Sequence, residues 1–175
     1  MVYVLASDFH GNVDAYIQLR RVAEEVKPDR IVLLGDLTDG YGAFPVNNEL
    51  DRIFYPILAV RGNCDRFGVF DELNLGDKGA VFSEEDGTRR LVFTHGHLFG
   101  KNASPFPLGN GDVCFYGHYH YPEITVINGI RYVCVGSMAY PRGGSEKSFC
   151  VYDGKTLKLI AVNDGKILAE NNLND

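Results

Sequence analysis

Five short apolar runs in this chain each end in side chains that can bind a metal ion, and this pattern constrains the fold most strongly. Continuous apolar runs of this length are typical of strands that are buried on both faces. In α/β proteins, ligands bind beyond the carboxyl ends of such strands. We therefore expect these side chains to converge on one site. They are Asp8 and His10 after the first run, then Asp36, Asn63, His95, and finally His118 with His120.

The order of the predicted elements indicates one α/β domain over residues 1–175. The first third alternates strands with helices, and the first helix is expected to start at the N-cap Asn12 and to stop before Pro28. The remainder is rich in strands joined by tight turns, which favours sheets that pack against each other. The other predictions are strands at 2–6, 31–34, 57–60, 80–83, 90–94 and 112–116, a short helix at 49–54, and turns at 86–87, 128–129, 153–154 and 164–165.

The types of donor predict two divalent cations. All five histidines of the chain lie in these strand-end segments. Residues two apart near a strand end point to the same side, so Asp8 with His10 and His118 with His120 can each face one site. Aspartate, histidine and asparagine without thiolate suit Mn²⁺, Fe²⁺ or Zn²⁺. Seven ligands exceed the needs of one ion, but with one bridging carboxylate they suffice for two ions roughly 3.5–4 Å apart.

Charge and cysteine usage restrict the partners and the compartment. The net charge of −6 argues against binding to long nucleic acid or to an anionic membrane. No segment approaches the roughly 18 apolar residues of a membrane span, and no secretory signal is expected in the opening residues. Cys114, Cys134 and Cys150 lie in apolar runs without a CxxC pair. We therefore expect reduced thiols, no structural disulfide and a cytoplasmic protein.

The ordered motifs resemble those of the calcineurin-like metallophosphoesterases. The similar segments are 7–12, 35–36, 62–65, 94–97 and 117–120, which occur in the order of that family. A finer resemblance is to its small single-domain phosphodiesterases from bacteria and archaea. The segments that carry it are 62–65 (GNCD), 94–100 (THGHLFG) and 136–142, which contains Gly136-Ser137 and Pro141-Arg142.

This resemblance implies a fold, a ligand assignment and a reaction. The fold would be a four-layer α/β/β/α sandwich. The first ion would be held by Asp8, His10 and His120, the second by Asn63, His95 and His118, with Asp36 bridging the two. A hydroxide shared by the ions would attack phosphorus directly, without a covalent enzyme intermediate. Mn²⁺ is the expected ion, with Ni²⁺, Fe²⁺ and Zn²⁺ as alternatives.

One position departs from the common family pattern. Many members carry a histidine, assigned to the phosphate or the leaving group, where this chain has Cys64. His97 is a candidate to replace that histidine in catalysis. An equal alternative is that His97 only holds the neighbouring metal ligands in place through hydrogen bonds. Arg142, like Asn63, is a candidate for binding the substrate, and an exposed loop arginine is the alternative. Asp65 is expected to orient its loop rather than to bind metal.

Two alternatives to a phosphodiesterase of small substrates stay open. One is a phosphomonoesterase or protein phosphatase, which the uncharged Cys64 disfavours because a dianionic monoester benefits more from nearby positive charge. The other is a protein-interaction scaffold, as in the retromer subunit built on this fold, although intact ligand positions favour catalysis. A homo-oligomer, dimer or tetramer, is compatible with the β-rich last third. Three loop aromatics could line the substrate cleft, namely Tyr41, Phe44 and Phe106.

Overall fold

The computed structural model describes residues 1–40 and 45–173, and within them the chain forms two β-sheets and three helices. The helices are α1 (Val13–Val26), α2 (Val46–Leu50) and α3 (Val69–Glu72). The strands are β1 (Tyr3–Ala6), β2 (Arg30–Leu33), β3 (Ile57–Ala59), β4 (Val81–Asp86), β5 (Arg89–Thr94), β6 (Val113–Tyr116), β7 (Pro122–Ile127), β8 (Ile130–Val135), β9 (Ser148–Tyr152), β10 (Thr156–Ala161) and β11 (Ile167–Asn172). The predicted α/β fold with two packed sheets is confirmed.

Helix α1 follows directly from its sequence signals. The side chain of Asn12 accepts a hydrogen bond from the N–H of Ala15 at 3.1 Å, as expected of an N-cap residue. The apolar residues of helix α1 recur at helical spacing, and this places Tyr16 and Leu19 in the core. The helix ends at Lys27, which adopts a left-handed conformation just before Pro28.

The first sheet has the strand order β11-β10-β9-β1-β2-β3. Strands β1, β2 and β3 are parallel, so their carboxyl ends lie at one edge. The chain leaves these ends toward Asp8, Asp36 and Asn63. Three candidate ligands therefore come from neighbouring strand ends of a single sheet.

The second sheet has the strand order β4-β5-β6-β8-β7, in which β5, β6 and β8 are parallel. His95 follows β5 directly, and His118 lies two residues beyond β6. The hydrogen bond from the N–H of His118 to the carboxylate of Asp8 joins the ends of the two sheets. His95, His118 and His120 thus come to the same edge from the opposite layer, while His10 follows β1 of the first sheet.

Apolar side chains hold the layers together. Leu5 and Val32 of the first sheet share a buried cluster with Phe93 and Phe115 of the second. Full burial of such a side chain stabilises the fold by about 1.5–3 kcal/mol. A separate cluster packs the helices on the outer face of the first sheet. The outer face of the second sheet is covered by an irregular segment around Phe106, where no helix occurs among the described residues.

Some element bounds differ from the predictions. Helix α2 spans Val46–Leu50 and so starts before the predicted 49–54, because Val46 and Leu50 are the pair that packs on the core. Strand β4 extends to Asp86, and strand pairing with β5 continues to Arg89. Helix α3 was not predicted, since four residues are too few to show a helical period. Among the described residues, no helix is both long and apolar enough to cross a membrane.

Candidate metal centre

The seven side chains predicted as metal ligands meet where the strand ends of the two sheets adjoin. Donor atoms of Asp8, His10 and His120 lie within 4.8 Å of one another, and the same holds for Asp8, Asp36 and His95. The carboxamide oxygen of Asn63 is 3.1 Å from Nε2 of His95. The rings of His95 and His118 are 5.2 Å apart. The expected convergence on one site is therefore observed.

The first group leaves a carboxylate oxygen without a hydrogen bond. Oδ1 of Asp8 is buried and accepts no hydrogen bond from the described residues, although Nε2 of His120 lies 3.2 Å away. Nε2 of His10 in turn lies 3.3 Å from Nε2 of His120. Two imidazole nitrogens and an unpartnered anionic oxygen thus face one small volume. A divalent cation would satisfy all three donors, so these residues fit the metal that the motifs imply.

Backbone carbonyls fix the direction of two imidazoles. Nδ1 of His120 lies 2.6 Å from the carbonyl oxygen of Tyr140, and Nδ1 of His95 lies 2.7 Å from that of Leu34. Because a carbonyl oxygen can only accept, each Nδ1 carries the proton that it donates. The Nε2 lone pairs are left for the centre of the site. Such outer contacts are typical of histidines that bind metals.

Asp36 lies between the two sets of ligands expected for the two ions, one of which contains His10 and the other His95. Its Oδ1 accepts a hydrogen bond from the N–H of Cys64 at 2.8 Å. Its Oδ2 lies 3.3 Å from Nε2 of His95 and 3.7 Å from Nε2 of His10. One oxygen is thus held by the backbone while the other faces a histidine of each group. Asp36 therefore lies close to candidate ligands of both expected ions.

The carboxylates raise the pKa of two imidazoles at the site, and His95 lowers the pKa of Asp36. Burial raises the pKa of Asp36, but the hydrogen bond and charge of His95 outweigh it and hold that pKa well below its usual range. Burial lowers the pKa of His95, yet Asp36 and Asp8 raise it above its usual value overall. Asp8 likewise raises the pKa of His120 against the effect of burial. The site without metal therefore favours positive charge on these imidazoles, where cations would otherwise sit.

The backbone is strained at most of the candidate ligands. A positive φ is uncommon for residues other than glycine and is concentrated at functional sites. Five of the seven candidate ligands have one, with values from 47° to 69°. They are Asp8, His10, Asp36, His118 and His120. The sharp turns at the strand ends aim these side chains inward.

Two glycines let segments of the site approach more closely than any side chain would allow. A Cβ atom on Gly62 would lie 2.2 Å from the backbone nitrogen of Asp36 and from its Oδ1. A Cβ atom on Gly117 would lie 1.9 Å from Oγ of Ser7 and 2.7 Å from Oδ2 of Asp8. These contacts bring the loops after β3 and β6 against the loops after β2 and β1.

The candidates for catalysis lie around this cluster. Sγ of Cys64 and donor atoms of His10 and Asp36 lie within 4.8 Å of one another. The same Sγ accepts a hydrogen bond from Nδ2 of Asn63 at 3.3 Å. Burial and the charge of Asp36 raise the pKa of the Cys64 thiol to about 11. The ring of His97 lies 5.3 Å from that of His95, and its Nδ1 is buried without a hydrogen bond. Burial and the neighbouring imidazoles lower the pKa of His97.

An open cavity of about 430 Å³ lies beside the first group. It is lined by His10, Asp39, His120, Tyr140, Pro141 and Arg142. Arg142 therefore lies where a substrate would approach. Phe106 packs on the outer face of the second sheet instead of lining this cavity, while Tyr41 and Phe44 lie outside the described residues.

Sequence reasoning missed the part played by Tyr140. Its carbonyl oxygen holds His120, and its ring lies 6.0 Å from that of His10. The hydroxyl of Ser137 binds the N–H of Tyr140 and donates to the carbonyl of Asp8. A contact through a backbone carbonyl leaves no signature in residue type, and the nearby Gly136-Ser137 was the single available signal.

Comparisons with known proteins agree with this geometry. Residues 1–157 match the profile of the calcineurin-like phosphoesterase superfamily domain. Phosphodiesterase YfcE of Escherichia coli K12 is 33% identical over 184 aligned positions, which cover 97% of each chain. The solved structure of E. coli YfcE, described as a phosphoesterase, gives a TM-score of 0.89 at 31% identity and covers 99% of this chain and 100% of the other.

More distant relatives extend the comparison. The probable metallophosphoesterase YsnB of Bacillus subtilis is 28% identical over 162 positions, covering 86% of this chain and 83% of its own. Zinc-bound Vps29 of Entamoeba histolytica gives a TM-score of 0.68 at 18% identity, over 99% of both chains. At that identity the likeness to Vps29 is one of fold alone.

Proposed function

The chain belongs to the calcineurin-like phosphoesterase superfamily, and from this premise we propose that it is a two-metal phosphodiesterase acting on small phosphodiesters. That it is a metal-dependent hydrolase of phosphate esters follows from the family and from the near full-length similarity to YfcE. The proposal adds the number of metal ions, the assignment of ligands and the course of the reaction. It rests above all on one observation, the buried and unpartnered Oδ1 of Asp8 facing two imidazole nitrogens.

The proposed ligand assignment divides the seven side chains between two ions. The first ion would be held by Asp8, His10 and His120, and the second by Asn63, His95 and His118. Asp36 would contact both through the oxygen that faces His95 and His10. When bound, the cations would supply hydroxide near neutral pH and offset the negative charge that develops on the phosphoryl oxygens. Mn²⁺ is the proposed ion.

We propose direct attack of hydroxide on phosphorus, without a covalent intermediate. Cys64 is the cysteine that lies in the site, and in the protein without metal burial and the charge of Asp36 raise the pKa of its thiol to about 11. A protonated thiol is a poor nucleophile. Ser7 is buried, and its hydroxyl already donates to the carbonyl oxygen of Leu34. Neither Cys64 nor Ser7 is therefore suited to attack phosphorus.

The preference for diesters with acidic leaving groups follows from the surrounding charges. Among the described residues that line the cavity, Arg142 is the single permanent cation, which suits the single charge of a diester better than the double charge of a monoester. Cys64 is a weak acid, and burial and the neighbouring imidazoles of His95 and His118 lower the pKa of His97. We keep both as proposed proton donors, and we expect slow turnover where the leaving alkoxide needs a strong acid.

The proposal also includes a cytoplasmic location and a small substrate. The net charge of −6 opposes binding to long nucleic acid. Cys114 and Cys134 are buried in the second sheet, in keeping with reduced thiols that serve packing. A dimer or tetramer remains a prediction, which light scattering on the purified protein would decide.

A substrate comparison tests the proposed function. Protein stripped of metal and reloaded with Mn²⁺ is given bis-p-nitrophenyl phosphate and p-nitrophenyl phosphate. We expect turnover of the diester to exceed that of the monoester, and the Asp36→Asn variant to lose roughly 100-fold or more in kcat/KM. Asp164→Asn, in an exposed turn, is the matched control. Turnover of the monoester alone would overturn the diester preference, and full activity in Asp36→Asn would overturn the site.

A further inference from the structure

Asp65 is a buried carboxylate whose oxygens are used entirely for backbone contacts. The residue is only 7% exposed to solvent. Both oxygens accept hydrogen bonds, and the four donors all belong to the segments that carry candidate ligands. The donors are the backbone N–H groups of Asp36 at 2.8 Å, Leu37 at 2.8 Å, Thr38 at 3.1 Å and Gly62 at 2.9 Å.

The contact between these two segments is reciprocal. Asp65, in the loop after β3, accepts N–H groups from the loop after β2. Asp36, in the loop after β2, accepts the N–H of Cys64 in the loop after β3. Each loop therefore places one carboxylate on the backbone of the other. Asp36 and Asp65 together form what we call the crossed carboxylate pair.

The crossed carboxylate pair determines where two candidate ligands point. Holding Oδ1 of Asp36 on the backbone turns its Oδ2 toward His95. Asn63 lies within the short segment from Gly62 to Cys64, both of whose N–H groups are engaged by the pair. Without Asp65, the strained left-handed turn at Asp36 would lose the N–H contact that restrains it.

From these contacts we propose that Asp65 is a positioning residue that fixes Asp36 and Asn63 and thereby sets the affinity of the site for its cations. The inference rests on the proposed function, because it concerns the same metal centre. It differs from a simple loop cap, since a cap would stabilise its own turn without acting on ligands of another strand. Asp65 itself would not contact metal, because backbone N–H groups occupy both of its oxygens.

The variant Asp65→Asn tests this role. Its amide group would turn an N–H₂ toward backbone donors and so break the reciprocal contact. Asp153→Asn is the matched control, because Asp153 also accepts backbone N–H groups, those of Lys155 and Thr156, but in a hairpin turn between β9 and β10. Both variants are titrated with Mn²⁺, and free Mn²⁺ is measured by electron paramagnetic resonance.

The expected result separates positioning from ordinary structural support. Loss of an outer contact at a metal site weakens metal affinity by roughly 10–100-fold, and we expect a change of this size in Asp65→Asn. Urea unfolding of the metal-free proteins should show lower stability for both variants, while Mn²⁺ affinity falls in Asp65→Asn alone. A folded Asp65→Asn variant that binds Mn²⁺ as tightly as the parent would overturn the proposal.

A second measurement keeps the proposal testable if Asp65→Asn does not fold. Amide hydrogen exchange of the metal-free parent should show slow exchange at Leu37 and Thr38, because Asp65 holds them before any cation binds. Rapid exchange there would overturn the proposal. A parent that binds Mn²⁺ but cleaves no diester would instead overturn the proposed function, and the affinity comparison would still decide the role of Asp65.

Discussion

At the scale of single residues, one tight steric constraint in the site is the contact between Gly62 and Asp36. No Cβ atom fits at Gly62, although its φ is not positive, so the requirement is space rather than backbone conformation. The neighbouring atoms are the backbone and carboxylate of Asp36, which are themselves held by Asp65 and Cys64. An added methyl group must therefore displace a candidate metal ligand.

Gly62→Ala should lower both stability and metal binding. Overpacking of this kind costs about 1–3 kcal/mol, and displacement of Asp36 should also weaken Mn²⁺ binding. Gly76→Ala is the control, because nothing lies within 4 Å of a Cβ atom there and its φ is not positive. Urea unfolding and Mn²⁺ titration measure the two effects. Equal values for the two alanine variants would contradict the steric argument.

The identity of the candidate ligands is readable in the sequence, but their surroundings are not. Each ligand follows an apolar run, so its type and order are visible without coordinates. The carbonyl oxygens of Leu34 and Tyr140 that orient His95 and His120 belong to the backbone, which any residue supplies. Residue type therefore predicts which groups bind a cation but not what aims them.

At the scale of elements, the site depends on how helix α1 starts. Asn12 caps the helix two residues after His10, and its Nδ2 also lies 3.4 Å from the hydroxyl of Tyr140. The cap satisfies one of the N–H groups that a helix start leaves without a partner. The position of the first turn is thus set immediately beside a candidate ligand.

Replacing the cap should destabilise the protein by a predictable amount. We expect Asn12→Ala to lower the free energy of unfolding by about 1 kcal/mol, because Ala15 loses its side-chain acceptor. Asn12→Ser should keep most of the stability, since serine caps almost as well. Chemical unfolding of the metal-free proteins provides the comparison. If the two variants are equally unstable, the cap is not what Asn12 contributes.

Helices and strands could be predicted where a pattern of apolar residues extends over many neighbouring positions of the sequence. Helix α1 shows four turns of apolar spacing between an N-cap and a proline, and its bounds agree with the prediction. Helix α2 differs because Val46 and Leu50 pack on α1 and the first sheet, which is a tertiary effect. The order of strands in each sheet depends on long-range pairing, such as that of β1 with β9, which no local pattern specifies.

At the scale of the whole molecule, contacts across the two sheets hold the candidate ligands together. Asp8 of the first sheet binds the N–H of His118 from the second. His95 of the second sheet binds the carbonyl of Leu34 from the first. These hydrogen bonds join the layers at the ligands themselves, while the apolar cluster between the sheets supplies the main stability. The metal-free protein should therefore be folded.

Bound cations should then stabilise the native state, by an amount that grows with the logarithm of their concentration relative to the Kd. A ligand at 100 times its Kd stabilises the native state by about 2.7 kcal/mol, and for a chain of this length that raises Tm by roughly 5–10 °C. Circular dichroism should show a cooperative melt in EDTA and a higher Tm once Mn²⁺ is restored. Asp8→Asn should lose most of this rise in Tm, because it removes the negative charge of a proposed metal ligand whose buried Oδ1 has no hydrogen bond among the described residues. A metal-free protein without a cooperative melt would mean that the cations build the site, whereas an unchanged Tm in Mn²⁺ would mean that they do not bind it.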